Sequence, residues 1–259
     1  MMKAKDESKN QKFELAEARG YKVIKSNDLI QKSRFQLSTQ EQKIILYLIS
    51  KITPDDVELK EHDFEIREFY KICGIKEIDG SAYKYLKQNL QKLRDRSFWV
   101  AQEDGSETLF SWLDWVTINQ KSGTVIIKLN EKMKPYLLEL KSKFTQYELI
   151  HTLAMRSQYA IRLYEILKSY EYKQRWLITT DELKRLLSAE NYERYADFKR
   201  RVLNIAVREI NDLSDIFVSY KPIKSSRKYV KIEFEIKPKE SQEQTTAWVK
   251  RTKRLDRIN

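Results

Sequence analysis

The order helix, short strand, helix, longer helix, β-hairpin occurs twice in this 259-residue sequence. That order predicts an α+β fold of two tandem winged-helix domains related by internal duplication. Leu46-Tyr47 and Leu163-Tyr164 fall at matching places in the first helix of each half. With 41% hydrophobic and 34% charged residues, the chain has enough apolar surface for two small cores.

In the first half, a helix runs from about Ser38 to Ile52. Ser38 is its N-cap and Glu41, three positions on, completes a capping box ahead of the apolar run Ile44 to Ile49. Thr53-Pro54-Asp55-Asp56 stops it. Phe64-Glu65-Ile66 alternates like a strand, Glu68 to Cys73 forms a short helix ended by Gly74, and Ser81 to Arg96 forms a longer one. Strands follow at Phe98 to Gln102 and Thr108 to Ile118 around the turn Glu103-Asp104-Gly105-Ser106, and again at Thr124 to Leu129.

The second half repeats this. A helix covers about Ser157 to Tyr172, Trp176-Leu177-Ile178 is a short strand, and Asp181 to Leu187 is a helix with acidic residues in its first turn. A long helix, about Tyr195 to Leu213, precedes strands Ile216 to Lys221 and Lys228 to Lys237. The expected division is a flexible arm at residues 1–20, domains at 21–135 and 136–238, and a polar, basic tail at 239–259 that reads as detachable.

Charge assigns unequal roles to the halves. The formal net charge is +12; residues 1–140 carry 24 basic and 22 acidic residues, whereas residues 141–259 carry 26 and 16. A basic domain suits a phosphate backbone, whose neutralisation releases condensed counterions. The same composition thins the enzyme classes. Five glycines at positions 20, 74, 80, 105 and 123 form neither a GxxxxGK nor a GxGxxG loop. His62 and His151 are far apart and Cys73 stands alone, so no paired-histidine or cysteine metal motif exists. No catalytic residue, metal or cofactor is expected. The longest apolar run is far short of the roughly 20 residues of a membrane span, and the first residues lack an apolar signal core, so a cytoplasmic protein without membrane contact is expected.

A wheel of the helix Tyr195 to Leu213 puts Phe198, Val202, Ile205, Ala206, Ile210 and Leu213 on one face. The opposite arc carries Asp197, Arg200, Arg201, Asn204, Arg208 and Asn211, with Lys199 nearer the core edge. Arginines and amides are the groups that reach base edges and phosphates in a major groove; an ordinary solvated face is the plainer alternative. The hairpin that follows carries Lys221, Lys224, Arg227 and Lys228, fit for backbone contact, although charge on an edge also discourages sheet aggregation. The corresponding helix of the first half exposes Lys84, Lys87, Gln88, Gln91 and Lys92. Its wing, read as Glu103 to Glu107, is acidic and would be repelled by phosphates. The strand bearing Leu109, Phe110, Trp112, Leu113 and Trp115 is core with an exposed remnant suited to self-association. In the tail, Trp248, Lys250, Arg251, Lys253, Arg254 and Arg257 suit non-specific nucleic-acid contact.

The segments Val23-Ile24-Lys25-Ser26-Asn27-Asp28-Leu29-Ile30 and Leu37-Ser38-Thr39-Gln40-Glu41-Gln42-Lys43, with Phe64-Glu65-Ile66 and Tyr159 to Tyr170, resemble the iteron-type theta-replication plasmid initiators, in their Gram-positive branch. The resemblance spans roughly residues 22 to 237. It implies binding to directly repeated origin sequences in double-stranded DNA, homodimers paired through the first domain, monomers active on the repeats, autorepression, and contact with host replication proteins. The family's base-contacting helix falls on Tyr195 to Leu213. Two alternatives remain at this level: a dedicated winged-helix transcriptional repressor, and a rolling-circle nicking initiator, which would need a histidine pair the sequence lacks.

Overall fold

The computed structural model describes residues 20–53, 55–73, 81–102, 104–138 and 140–256. Residues 1–19 of the expected arm, Pro54, Gly74, Glu103 and Arg257 lie outside the described residues.

In the first half, β1 (Lys22–Ser26), α1 (Asn27–Lys32) and β2 (Ser33–Arg34) precede α2 (Thr39–Ser50), β3 (Glu61–Glu65), α3 (Ile66–Cys73) and α4 (Ser81–Asp95). Four strands follow: β4 (Ser97–Ala101), β5 (Glu107–Ser111), β6 (Leu113–Asn119) and β7 (Thr124–Leu129). A connector of α5 (Lys134–Leu137), β8 (Phe144–Glu148) and α6 (Ile150–Leu153) leads to α7 (Gln158–Ser169), β9 (Arg175–Thr179) and α8 (Thr180–Leu186). One continuous helix then comprises α9 (Tyr195–Phe198), a π turn (Lys199–Leu203) and α10 (Asn204–Leu213). The chain continues as β10 (Ile216–Ser225), β11 (Lys228–Pro238) and α11 (Ser241–Asp256).

Local signals hold where they are strong. The Ser38 hydroxyl accepts from Glu41 N while the Glu41 carboxylate accepts from Ser38 N at 2.7 Å, so the capping box forms as expected. Strand β3 is displaced by the start of α3: Ile66 is helical rather than the end of a strand.

The duplication is visible in the sheets. β3 pairs with β7, which pairs with β6; β9 pairs with β11, which pairs with β10. In each half the strand between the first two helices of the winged helix, β3 between α2 and α3 and β9 between α7 and α8, therefore joins the second strand of a hairpin, and that hairpin is the wing. This corrects the expected first wing. The turn Gln102–Ser106 closes β4–β5, which belongs to a separate sheet β2–β4–β5 inserted after α4. The true first wing is β6–β7, whose tip runs Gln120-Lys121-Ser122-Gly123. Asn119 Oδ1 accepts from Lys121 N and Ser122 N, and Gly123 takes φ 70°, a conformation open to residues without a Cβ. Asp104 and Glu107, acidic residues expected to repel phosphates, are not on it.

The two halves share one hydrophobic core, and α7 is its hub, packing on α1, α2 and α10. Polar groups are buried where it meets the first half. Lys25 pairs with Glu165, whose Oε1 also accepts from Tyr147 Oη at 2.6 Å. Arg162 donates to Ser33 O at 2.8 Å and lies 4.5 Å over the Phe35 ring. β1 pairs antiparallel with β8, Lys22 opposite Glu148, so the start of the described chain is stitched to the connector. In the inserted sheet, Trp112 stacks on Phe98 at 4.2 Å and is buried, whereas Leu109 and its cross-strand neighbour Trp99 are about half exposed.

Candidate nucleic-acid interface

The residues 195–213 form the third helix of the second winged helix. Its core side presents Phe198, Val202, Leu203, Ala206, Ile210 and Leu213, all buried. Val202 and Leu203 are adjacent in sequence yet both fully buried, which a straight α-helix disfavours; the π turn accommodates them. Residues in a turn closed by i→i+5 bonds advance roughly 80° each instead of 100°. Across Lys199–Leu203 this turns the rest of the helix back by roughly 90° relative to a straight helix. Arg200, Asn204 and Arg208 then form one exposed stripe opposite the core, with Arg201 and Lys199 on its flanks. The straight wheel had put Arg200 and Arg201 on one arc.

Arg200 Nη2 meets Asp197 Oδ1 at 2.9 Å, an exposed pair that costs little to open. Among the described residues, Lys199, Arg201 and Arg208 are in no ion pair. Asn211, by contrast, is not free to read anything. Its Nδ2 donates to Val218 O at 2.8 Å and its Oδ1 accepts from Val218 N at 2.7 Å, clamping α10 to β10.

The second wing adjoins this stripe. β10 and β11 extend through the expected loop, leaving Ser226 and Arg227 as a two-residue tip with Ser226 at φ 55°. Pro222, which lacks an N–H, is tolerated because β10 is an edge strand. Lys221, Lys224, Arg227 and Lys228 are all exposed. Two contacts fix the wing against the helix. Tyr229 stacks on Tyr195 at 4.1 Å with the Lys224 ammonium 4.8 Å over the Tyr229 ring, and Tyr220 Oη donates to Asn204 Oδ1 at 2.7 Å. Burial pushes the Tyr195 phenol up to about 12, so it stays neutral in this stack. Neither tyrosine stood out in the sequence, because aromatic residues at a strand and a helix start carry no signal that they will meet.

In the first half, α4 buries Leu86, Leu90 and Leu93 and exposes Lys84, Lys87, Gln88, Gln91 and Lys92, as its spacing predicts. Asn89 is buried as well, its Nδ2 donating to Tyr85 O at 2.8 Å. The adjoining first wing presents Lys121. The structure thus provides two helix-plus-wing units, the second richer in cations. Rigid donors in one stripe suit base edges, and mobile lysines around them suit phosphates.

The tail departs from expectation: it is the helix α11, with Ala247, Arg251 and Leu255 buried against the body. Among the described residues, no group of three or more His, Cys, Asp or Glu is placed to hold a metal ion, and no helix is long and apolar enough to cross a membrane.

Comparison with known proteins agrees with this architecture. Residues 22–168 match the family described as Initiator Replication protein, WH1, and residues 179–236 match Initiator Rep protein, WH2. The PI protein of Escherichia coli is 30% identical over 155 residues, which cover 52% of this chain and 51% of that protein, so the chain matches about half of this curated relative's length. An uncharacterized 27.6 kDa protein of Escherichia coli is 25% identical over 214 residues, 77% of this chain and 88% of that protein. The crystal structure of Pi initiator protein in complex with iteron DNA superimposes with a TM-score of 0.70 at 22% identity, covering 86% of this chain and 99% of that one, and shows the same fold. With both of its winged-helix domains matched in order, the chain belongs to the Rep3 family of replication initiator proteins.

Proposed function

We propose that the chain is a plasmid replication initiator that binds directly repeated sequences, iterons, in double-stranded DNA and starts replication there. The observation that carries this reading is the exposed stripe Arg200–Asn204–Arg208 beside a basic wing, in a chain whose fold follows that of an initiator solved on iteron DNA. In this reading the second domain, residues 136–238, reads sequence: Arg200, Asn204 and Arg208 face base edges, while Lys199, Arg201, Lys221, Lys224, Arg227 and Lys228 face phosphates. The first domain, residues 21–135, adds backbone contact through Lys84, Lys87, Gln88 and Lys92, with Lys121 of the corrected wing as a further contact.

The first domain also pairs subunits in this reading. Trp99 and Leu109 lie side by side on the outer face of a sheet whose edge strand β5 has no further strand partner among the described residues, a surface suited to a second copy. Dimers would then repress the chain's own gene, monomers would occupy the repeats, and host replication proteins would be recruited to them in the cytoplasm. The chain binds and assembles in this scheme and performs no bond chemistry. Assignment to the Gram-positive branch rests on the motif around Val23 to Ile30 and Leu37 to Lys43; the curated relatives named above come from Escherichia coli.

The test is made in cells. A plasmid carrying only this gene and its upstream region, in a host that cannot otherwise replicate it, is expected to be maintained, and an Arg200→Ala/Asn204→Ala version is expected to be lost. Loss of the unmutated plasmid, with binding to the upstream DNA retained, would instead make the chain a repressor.

A further inference from the structure

The C-terminal helix has the composition of a cationic tail available to nucleic acid, but Arg251 and Arg254 are turned toward the body, and Lys250, though half exposed, is engaged with it, while Lys253 is exposed. Lys250 Nζ pairs with Asp212 and Arg254 Nη2 meets Glu209 Oε1 at 2.7 Å, both partners lying on α10. Arg251, 5% exposed, donates through Nη1 to Leu213 O at 3.0 Å and to His151 Nδ1 at 3.1 Å. At the start of the same segment, Lys239 Nζ donates to Asn211 O at 2.6 Å and Ser214 O at 2.7 Å. The final carbonyls of an α-helix lack intrahelical partners and carry roughly half a negative charge. Here the end of the reading helix is closed by two buried cations contributed by residues 239–256.

Glu209 extends the link. Its second oxygen, Oε2, accepts from Arg156 N at 2.9 Å and Ser157 N at 3.0 Å, at the start of α7. α11, α10 and α7 therefore meet at one carboxylate. Ala247, Arg251 and Leu255, four residues apart in turn, form the buried seam.

We propose that residues 239–256 are a brace for the reading helix: they set its seating on the core, raise discrimination between DNA sequences, and make no phosphate contact of their own. Lys239 and Arg251 are the positioning residues. The inference rests on the reading that residues 195–213 contact DNA, and its test separates the two.

The full chain and a chain ending at Pro238 are titrated by fluorescence anisotropy against the duplex upstream of the gene and a shuffled duplex, at several salt concentrations. Removing the brace is expected to lower the ratio of specific to shuffled affinity by about tenfold or more while changing the salt slope by less than about one. An unchanged ratio overturns the brace. So does parallel weakening on both duplexes with the slope reduced by about two or more, which means that the helix touches phosphates. If circular dichroism shows that the shortened chain does not fold, full-length Arg251→Met decides. It is expected to lower the ratio with the slope intact, and Arg251→Lys to restore most of it; equal behaviour of Arg251→Met and the unmutated chain overturns the proposal. A full chain without preference for its upstream duplex overturns the reading of residues 195–213, and the brace with it.

Discussion

Tyr220, on the wing strand β10, donates its phenolic hydrogen to Asn204 Oδ1 on the helix 195–213 at 2.7 Å. Wing and helix thus hold a single exposed amide between them, its oxygen engaged by Tyr220. An asparagine so held presents donors first, which suits an acceptor edge such as guanine N7 and O6 better than the mixed edge of adenine. Tyr220→Phe is expected to release the amide and lower discrimination at one base pair by about 1 kcal/mol, with affinity for random duplex unchanged. Competition with duplexes substituted one base pair at a time checks this.

The π turn aligns Arg200 with Asn204 and Arg208 and leaves its neighbour Arg201 beside that stripe. Arg200→Ala is expected to cost about 1–3 kcal/mol on the specific duplex and little on a shuffled one. Arg201→Ala, like Lys224→Ala, is expected to weaken both alike and reduce the salt slope by about 1. Exchanged behaviour of the two arginines would mean that the helix reads DNA in a straight α register.

Reassigning the first wing gives opposite expectations for two loops. Lys121→Ala, at the β6–β7 tip, is expected to weaken specific and random binding together. Asp104→Lys, at the β4–β5 tip, is expected to leave both unchanged, since that hairpin belongs to the inserted sheet. Stronger binding by Asp104→Lys would restore the acidic loop as the wing. Salt-dependent anisotropy on both variants distinguishes them.

Local pattern favours the wrong hairpin as the first wing. Glu103-Asp104-Gly105-Ser106 is the stronger turn signal, and both hairpins alternate. What decides the wing is the pairing of β3 with β7, Phe64 opposite Val125, which no local pattern encodes. The capping box at Ser38 and the apolar face of α4 were readable because their partners lie within one or two turns of helix. β1 and β8 were not, since each is short and finds its partner more than a hundred residues away. In α11 the seam Ala247, Arg251, Leu255 had helical spacing, but a charged residue at its centre hid it. The adjacent buried pair Val202-Leu203 was the one trace of the π turn, and a straight wheel spread it across the core edge.

Stability is expected to depend on pH through His151. Burial lowers its pKa to about 4, the dominant effect, with nearby Asp215 opposing it and Arg251 reinforcing it. Arg251 can only donate, so Nδ1 accepts and the ring is neutral. Between about pH 6.5, the ordinary value, and pH 4 the unfolded chain binds a proton that the folded chain does not. Stability therefore falls as pH falls through that window, by about 3 kcal/mol from this group, and the loss levels off below pH 4. Urea unfolding from pH 7 to 4 is expected to show this loss, and His151→Gln to reduce it.

The most direct measurement is fluorescence anisotropy of the full chain on the duplex upstream of its own gene and on a shuffled duplex, over a range of salt. Recognition by the second winged helix predicts a preference of about 10³-fold or more that persists as salt is raised, and a search of that duplex should then reveal direct repeats. Equal, steeply salt-sensitive binding to both duplexes contradicts it and reduces the stripe Arg200–Asn204–Arg208 to generic charge.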